Sequence, residues 1–135
     1  MSIESRVPIH KEHDIVAARQ SARQVATAAG FTGSDLTIIA TAISEIARNI
    51  ISYAEHGEII IKPLKSQDRS GILIVAEDIG PGIANVEQAM QDGFSTGNSL
   101  GLGLPGARRL MDEFSIDSVP GKGTKITMTK WVSAR

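Results

Sequence analysis

Two pairs of apolar runs constrain this chain most. Gly57–Leu64 (GEIIIKPL) and Gly71–Asp78 (GILIVAED) are separated by the polar stretch KSQDRS, and Phe114–Val119 and Thr124–Val132 by PGKG. Short runs rich in Ile and Val, bounded by turn residues, read as β-strands. Connectors this short join only antiparallel neighbours, because parallel strands need a crossover of a dozen or more residues. In the last run Ile126 and Met128 alternate with Lys125, Thr127 and Thr129, so one face of the sheet is apolar and needs a cover. The rest of the chain supplies it. Residues 13–29 carry Ile15, Ala18, Ala22, Val25, Ala26 and Ala29 at helical spacing, and Gly30 stops them. A second helix, capped by Ser34 or Asp35, runs to about Tyr53 with the stripe Leu36, Ile39, Ala40, Ile43, Ala47, Ile50 and Ile51. Arg6–His10 reads as a short strand, Val86–Met90 as a short helix and Pro105–Met111 as a longer one. The order is β-α-α-β-β-(loop)-α-β-β. It predicts an α+β fold: a two-layer α/β sandwich with a mixed, mostly antiparallel sheet and helices on one face.

The chain's 135 residues, 1–135, fit a single domain. With a net charge of −1, nothing draws the chain as a whole toward nucleic acid or anionic membrane, so neither is an expected partner. The absence of cysteine excludes disulfides and thiolate metal sites. No apolar run reaches transmembrane length and the N-terminus has no signal core, so the cytoplasm is the expected compartment. Aromatics are few, which argues against a base-stacking surface.

Residues 78–114 hold seven glycines and two prolines between well-patterned runs. Clustered glycines cost entropy, and they let a ligand approach the backbone. Four groups of residues bear on what that ligand is. Glu45 and Asn49 stack one turn apart on the second helix, beside a row holding Ile38 and Ala42; taken alone they read as a solvated helix border, with a cleft as the alternative. Alternation puts Asp78 at the end of the inward row Ile72–Ile74–Ala76, with Gly80 and Gly82 following. Taken alone, that reads better as a turn begun by Asp. Gly97, Leu100, Gly101, Leu102, Gly103 and Leu104 lead into the last helix, whose N-terminal amides suit phosphate. The run is neither a Walker A loop nor a Rossmann turn. Thr124 closes Gly-Lys-Gly-Thr, by itself an ordinary hairpin turn.

The order of these groups is more specific than any one of them. Glu-x-x-x-Asn on a helix, Asp-x-Gly-x-Gly after a strand, Gly-x-Gly-Leu-Gly-Leu before a helix and Gly-x-Gly-Thr before a strand resemble the nucleotide-binding motifs of the GHKL superfamily. The resemblance spans residues 45–124. It implies the Bergerat-type sandwich and an ATP site. Asp78 would accept from the adenine amino group, with Thr124 in support. Gly80 and Gly82 would turn the chain under the base. Asn49 would hold Mg²⁺. Gly97, Leu100, Gly101, Leu102, Gly103 and Leu104 would line the phosphate cradle, and Glu45 would be the general base.

SEIARNIISYAEHGEI and FSTGNSLGLGLPGARRLMDEF are most similar to the RsbT-type serine/threonine kinases of bacterial partner-switching systems, over about residues 5–132; Asn98-Ser99 departs from a more glycine-rich pattern. His10, His13 and His56 read as surface residues, and no helix pair with a phosphorylatable His is present. The resemblance implies phosphorylation of a Ser or Thr on STAS-domain stressosome proteins, then binding and activation of a PP2C-type phosphatase. An anti-sigma factor kinase, a non-catalytic nucleotide-dependent scaffold and a plain ATPase are the alternatives. Arg19 and Arg23, four apart on the first helix, would face an acidic partner or solvent. Leu73, Val75 and Trp131 are expected on the helix-free face, as a docking or weak homodimer surface. Residues 92–100 are expected to be disordered without nucleotide.

Overall fold

A computed structural model describes residues 4–54, 56–80, 103–119 and 121–133. Its elements, in chain order, are β1 (Ser5–Ile9), α1 (Glu12–Ala29), α2 (Ser34–Tyr53), β2 (Gly57–Ser66), β3 (Arg69–Asp78), α3 (Gly103–Leu110), β4 (Glu113–Val119) and β5 (Gly123–Trp131). The sheet order is β1-β2-β3-β5-β4 and every ladder is antiparallel. The expected mixed sheet thus has no parallel pair among the described residues. Two successive helices between β1 and β2 reverse the chain an extra time, so those strands run oppositely. β3 and β4, on either side of α3, run the same way, but β5 lies between them.

The helices cover one face. On β3 the inward residues Ile72, Ile74 and Ala76 are buried, and they register with Ile59 and Ile61 of β2 and Ile126 and Met128 of β5, also buried. Burying an Ile side chain contributes roughly 1.5–3 kcal/mol. α1 buries Ile15, Ala18, Ala22, Val25 and Ala26 as its spacing predicts, while Ala29, at the helix end, is only half-buried. Its start is fixed by Asp14, whose carboxylate accepts from the backbone N–H of both His10 and Lys11 at 2.9 Å. Those bonds, Lys11 first, hold the Asp14 carboxyl below its ordinary value.

α2 packs against α1, α3 and the sheet. Its buried surface is therefore wider than one stripe: Ala42 and Ile46 join Ile39, Ile43, Ala47 and Ile50, while Leu36, Ala40 and Ile51 are only half-buried. The cap of α2 is Gly33 (φ 57°), and Ser34 and Asp35 are already helical. Asp35 still favours the positive end of the dipole from the first turn. The polar stretch KSQDRS is mostly strand: Ser66 pairs with Arg69 around the two-residue turn Gln67-Asp68. α3 starts two residues before Pro105, which stays in the first turn, where a missing N–H costs no helical bond. The expected helix at 86–90 and the stretch 92–100 lie outside the described residues. No helix in the described residues is long and apolar enough to cross a membrane.

On the helix-free face, Leu73 and Val75 are half-buried beside Ile60, the partner of Val75. Trp131 shares that face but is tied down. The Arg69 guanidinium lies 4.0 Å over its ring, and its indole N–H donates to Glu113 at 3.3 Å.

Candidate active site

One cross-strand row organises the site. Ile9, Gly57, Asp78, Thr124 and Ser118 are in register across all five strands, on the face the helices cover. The row is apolar at its β1 end and polar from Asp78 onward. Asp78 is half-buried, and its Oδ1 accepts from the backbone N–H of Gly80 at 3.0 Å and of Thr124 at 3.2 Å. The first bond is the Asx turn expected of an Asp at this place; the second ties the strand end to β5 as well. With Oδ1 so engaged, Oδ2 is left for an outside donor, and it carries no hydrogen bond to the described residues. Thr124 is buried, and its hydroxyl lies 2.8 Å from the Ser118 hydroxyl.

Two glycines keep this end of the sheet clear. A Cβ on Gly57 would sit 2.4 Å from the Glu77 carbonyl oxygen, 3.0 Å from the Asp78 Cβ and 3.1 Å from Ile50 on α2. Gly57 is thus where α2 comes down beside Asp78. Gly123 has φ +116°, and a Cβ there would lie 2.1 Å from the Asp78 carbonyl oxygen. Only glycine suits both the angle and the space.

Glu45 and Asn49 lie about 6 Å apart along α2. Glu45 is 4% exposed and Asn49 half-buried. That removes the solvated-border reading, since glutamate is rarely buried without a structural or chemical reason. The polar residues nearby have local explanations: the Thr41 hydroxyl donates to the Thr37 carbonyl at 2.9 Å, and the Ser44 hydroxyl to the Ala40 carbonyl at 2.8 Å. Gly103 and the buried Leu104 open α3, which packs on α2. The expected ligand residues Gly82, Gly97, Leu100, Gly101 and Leu102 lie outside the described residues.

The donor set suits the ATP reading. A carboxylate with one open oxygen beside a hydroxyl matches the edge of an adenine ring. Among the described residues no three His, Asp or Glu converge as a metal cluster. Asn49 offers one side-chain carbonyl oxygen, as suits Mg²⁺, which takes few protein ligands and completes its shell with phosphate and water oxygens. Sequence reasoning missed Gly57 and Ser118. Neither belongs to a recognisable local motif, and only strand register brings them to Asp78.

Residues 8–130 match the family described as the histidine kinase-like ATPase domain. This chain belongs to that family. Its match to the serine/threonine-protein kinase RsbT of Bacillus subtilis is 52% identical and covers 98% of this chain and 99% of that protein. An anti-sigma F factor of a Thermoanaerobacter species is 35% identical over 76% of this chain and 75% of its own length. The fold is shared with the RsbU and RsbW domains of a Mycobacterium tuberculosis protein, at TM-score 0.67 and 20% identity, covering all of this chain and 34% of that longer one. A mycobacterial sensor histidine kinase, MprB, superposes at TM-score 0.55 and 14% identity, covering 96% of this chain and 97% of the other. The histidine kinase-like ATPase fold expected from the four motifs is thus the one observed.

Proposed function

We propose that this chain is a protein serine/threonine kinase of the bacterial partner-switching type, a single ATP-binding unit acting in the cytoplasm. The structural observation that carries the reading is Glu45, a buried carboxylate one helical turn from Asn49 on the helix that passes beside Asp78. The 52% identity to a serine/threonine-protein kinase over nearly the whole of both chains supports the same reading. The anti-sigma F factors match a smaller share of the chain at lower identity, which favours the kinase over the anti-sigma reading.

In this mechanism Asp78 Oδ2 accepts from the adenine amino group, while Oδ1 stays engaged by the backbone. The start of α3, with Gly103 and Leu104, would face the phosphates; the resemblance adds Gly97, Leu100, Gly101 and Leu102 to that cradle, and Gly80 and Gly82 as the residues that let the chain turn under the base. Asn49 would hold Mg²⁺, which would supply neutralisation of the phosphate charge. Glu45 accepts the proton of the attacking Ser or Thr hydroxyl as its oxygen bonds the γ-phosphorus and the bond to the ADP oxygen breaks. Burial of Glu45 keeps water from competing for that step.

The acceptor in this reading is a Ser or Thr of a STAS-domain protein. Its phosphorylation adds about −1.5 to −2 charge and releases the kinase, which then binds and activates a PP2C-type phosphatase. Arg19 and Arg23, both exposed on α1, and the face bearing Leu73 and Val75 are the surfaces proposed for docking or weak homodimerisation. The test incubates the protein with labelled ATP, Mg²⁺ and STAS-domain proteins of the same genome. Label on Ser or Thr is the expected result. Phosphate release without any labelled acceptor would instead indicate a plain ATPase.

A further inference from the structure

The chain has three histidines, His10, His13 and His56, and the kinase mechanism uses none of them. All three fall in one corner of the molecule, where β1 hands over to α1 and α2 to β2. The antiparallel register of β1 and β2 ends at Ile9 and Gly57, and one step further along it sets His10 opposite His56. Their rings meet edge to face, with centroids 6.0 Å apart and planes at 69°. His13 joins them through Asp14. Its Nε2 lies 3.5 Å from Asp14 Oδ1, and Asp14 Oδ2 accepts from the backbone N–H of His10 at 2.9 Å. His10 and His56 are both exposed. With no cysteine in the chain, imidazole is its best-suited side chain for a transition cation.

The spacing of the two rings suits a shared ion. A cation about 2.0–2.1 Å from a ring nitrogen lies about 3.2 Å from that ring's centroid, so one ion reaches two centroids up to about 6.4 Å apart, and a tetrahedral angle sets them at about 5.2 Å. The observed 6.0 Å falls between the two. Closing from there takes less than ~1 Å, which rotation about the side-chain bonds of exposed residues supplies. The backbones that carry the rings are held in place. The N–H groups of His10 and Lys11 are bound to Asp14 at 2.9 Å each. His56 precedes Gly57, where even a Cβ would sit 2.4 Å from the Glu77 carbonyl oxygen, so the start of β2 is closely packed. Asp14, its carboxyl held below the ordinary value by its backbone bonds, keeps a negative charge at the corner.

We propose that His10 and His56 together bind a divalent transition cation of the zinc class, with water completing its shell. The ion staples the β1–α1 junction to the α2–β2 junction across the open end of the ladder. This site stands apart from the kinase reading and does not depend on it. The test titrates the untagged full chain with Zn²⁺ by calorimetry, without nucleotide, using wild type, His10→Ala, His56→Ala and His13→Ala, and records melting curves of each with and without the ion. Wild type is expected to bind one equivalent and to melt higher with Zn²⁺. His10→Ala and His56→Ala should each melt as wild type does without metal, lose the metal-dependent rise, and bind Zn²⁺ at least about 10-fold more weakly, the smallest loss usual when only an outer-shell partner is removed. His13→Ala should bind as wild type does. Absence of Zn²⁺ binding by wild type would overturn the proposal and leave the rings as a plain edge-to-face contact. Wild-type affinity in His10→Ala or His56→Ala would overturn it too, and an equal loss in His13→Ala would overturn the two-histidine assignment.

Discussion

Asp78→Asn separates the structural from the recognitive part of one side chain. Oδ1 holds the backbone, accepting from Gly80 and Thr124 at 3.0 and 3.2 Å. An asparagine can keep its carbonyl oxygen there, so both bonds survive as neutral ones. Hydrogen bonds to a charged group are worth about twice as much, so each bond loses about 1 kcal/mol and the two together about 2 kcal/mol, several degrees of melting temperature for a chain of this size. At the Oδ2 position the change is of another kind. An N–H₂ donor replaces the acceptor and faces the adenine amino group, another donor. The lost bond to a charged acceptor is about 1.5–3 kcal/mol, and leaving a buried donor unpaired costs about 1–3 kcal/mol more. The sum is at least about 2.5 kcal/mol, or roughly 60-fold in affinity. Calorimetric titration with ATP, beside a melting curve of each protein, reads both quantities. The purine riboside triphosphate, which lacks the amino group, should bind wild type and variant within a few-fold of each other. A folded variant that binds ATP within threefold of wild type would refute the assignment of Asp78 to the base.

Gly123→Ala must both adopt φ +116° and place a Cβ 2.1 Å from the Asp78 carbonyl oxygen; it should lose about 2–4 kcal/mol of stability and weaken nucleotide binding. Gly121→Ala, at φ +82° with nothing within 4 Å, should cost only about 1–2 kcal/mol, so equal losses in denaturant titrations of the two would contradict the close approach at Gly123. Asp14→Asn tests the start of α1. Because its bonds from Lys11 and His10 hold the folded pKa below the ordinary 3.8, the carboxylate contributes stability that is fully present above that value and lost as pH falls through the folded pKa. Wild type should therefore melt higher than the variant at neutral pH, with the gap closing in acid; a gap independent of pH would argue against the charged bonds. Phe31→Ala, which empties a fully buried position, should cost about 3–5 kcal/mol and mark the core between helices and sheet in a denaturant titration.

Much of this fold is legible because its signals are local. Alternation along β3 placed Asp78 inward, and short polar connectors required antiparallel pairs. Helical spacing gave the buried row of α1 except at its end, where Ala29 is only half-buried. What stayed hidden depends on contacts between elements. The burial of Ala42 and Ile46 follows from α2 having three neighbours, which a single apolar stripe does not announce. The cap at Gly33 works through backbone geometry, where a reading of side chains looks to Ser34 and Asp35. Gly57 and Ser118 reach Asp78 only through strand register across separate hairpins. Glu45 is the instructive case: its spacing from Asn49 was plain, but its burial is a property of the packed helix layer.

The most direct measurement of the kinase claim is transfer of label from ATP to a STAS-domain protein by wild type and by Glu45→Ala, with ATP affinity measured on the same samples. A general base is worth about 10²- to 10⁴-fold, so the variant should bind ATP as wild type does and lose transfer by that factor. Transfer at the wild-type rate by Glu45→Ala would contradict the mechanism. No label on any STAS-domain protein, with capture of a sigma factor instead, would contradict the kinase reading.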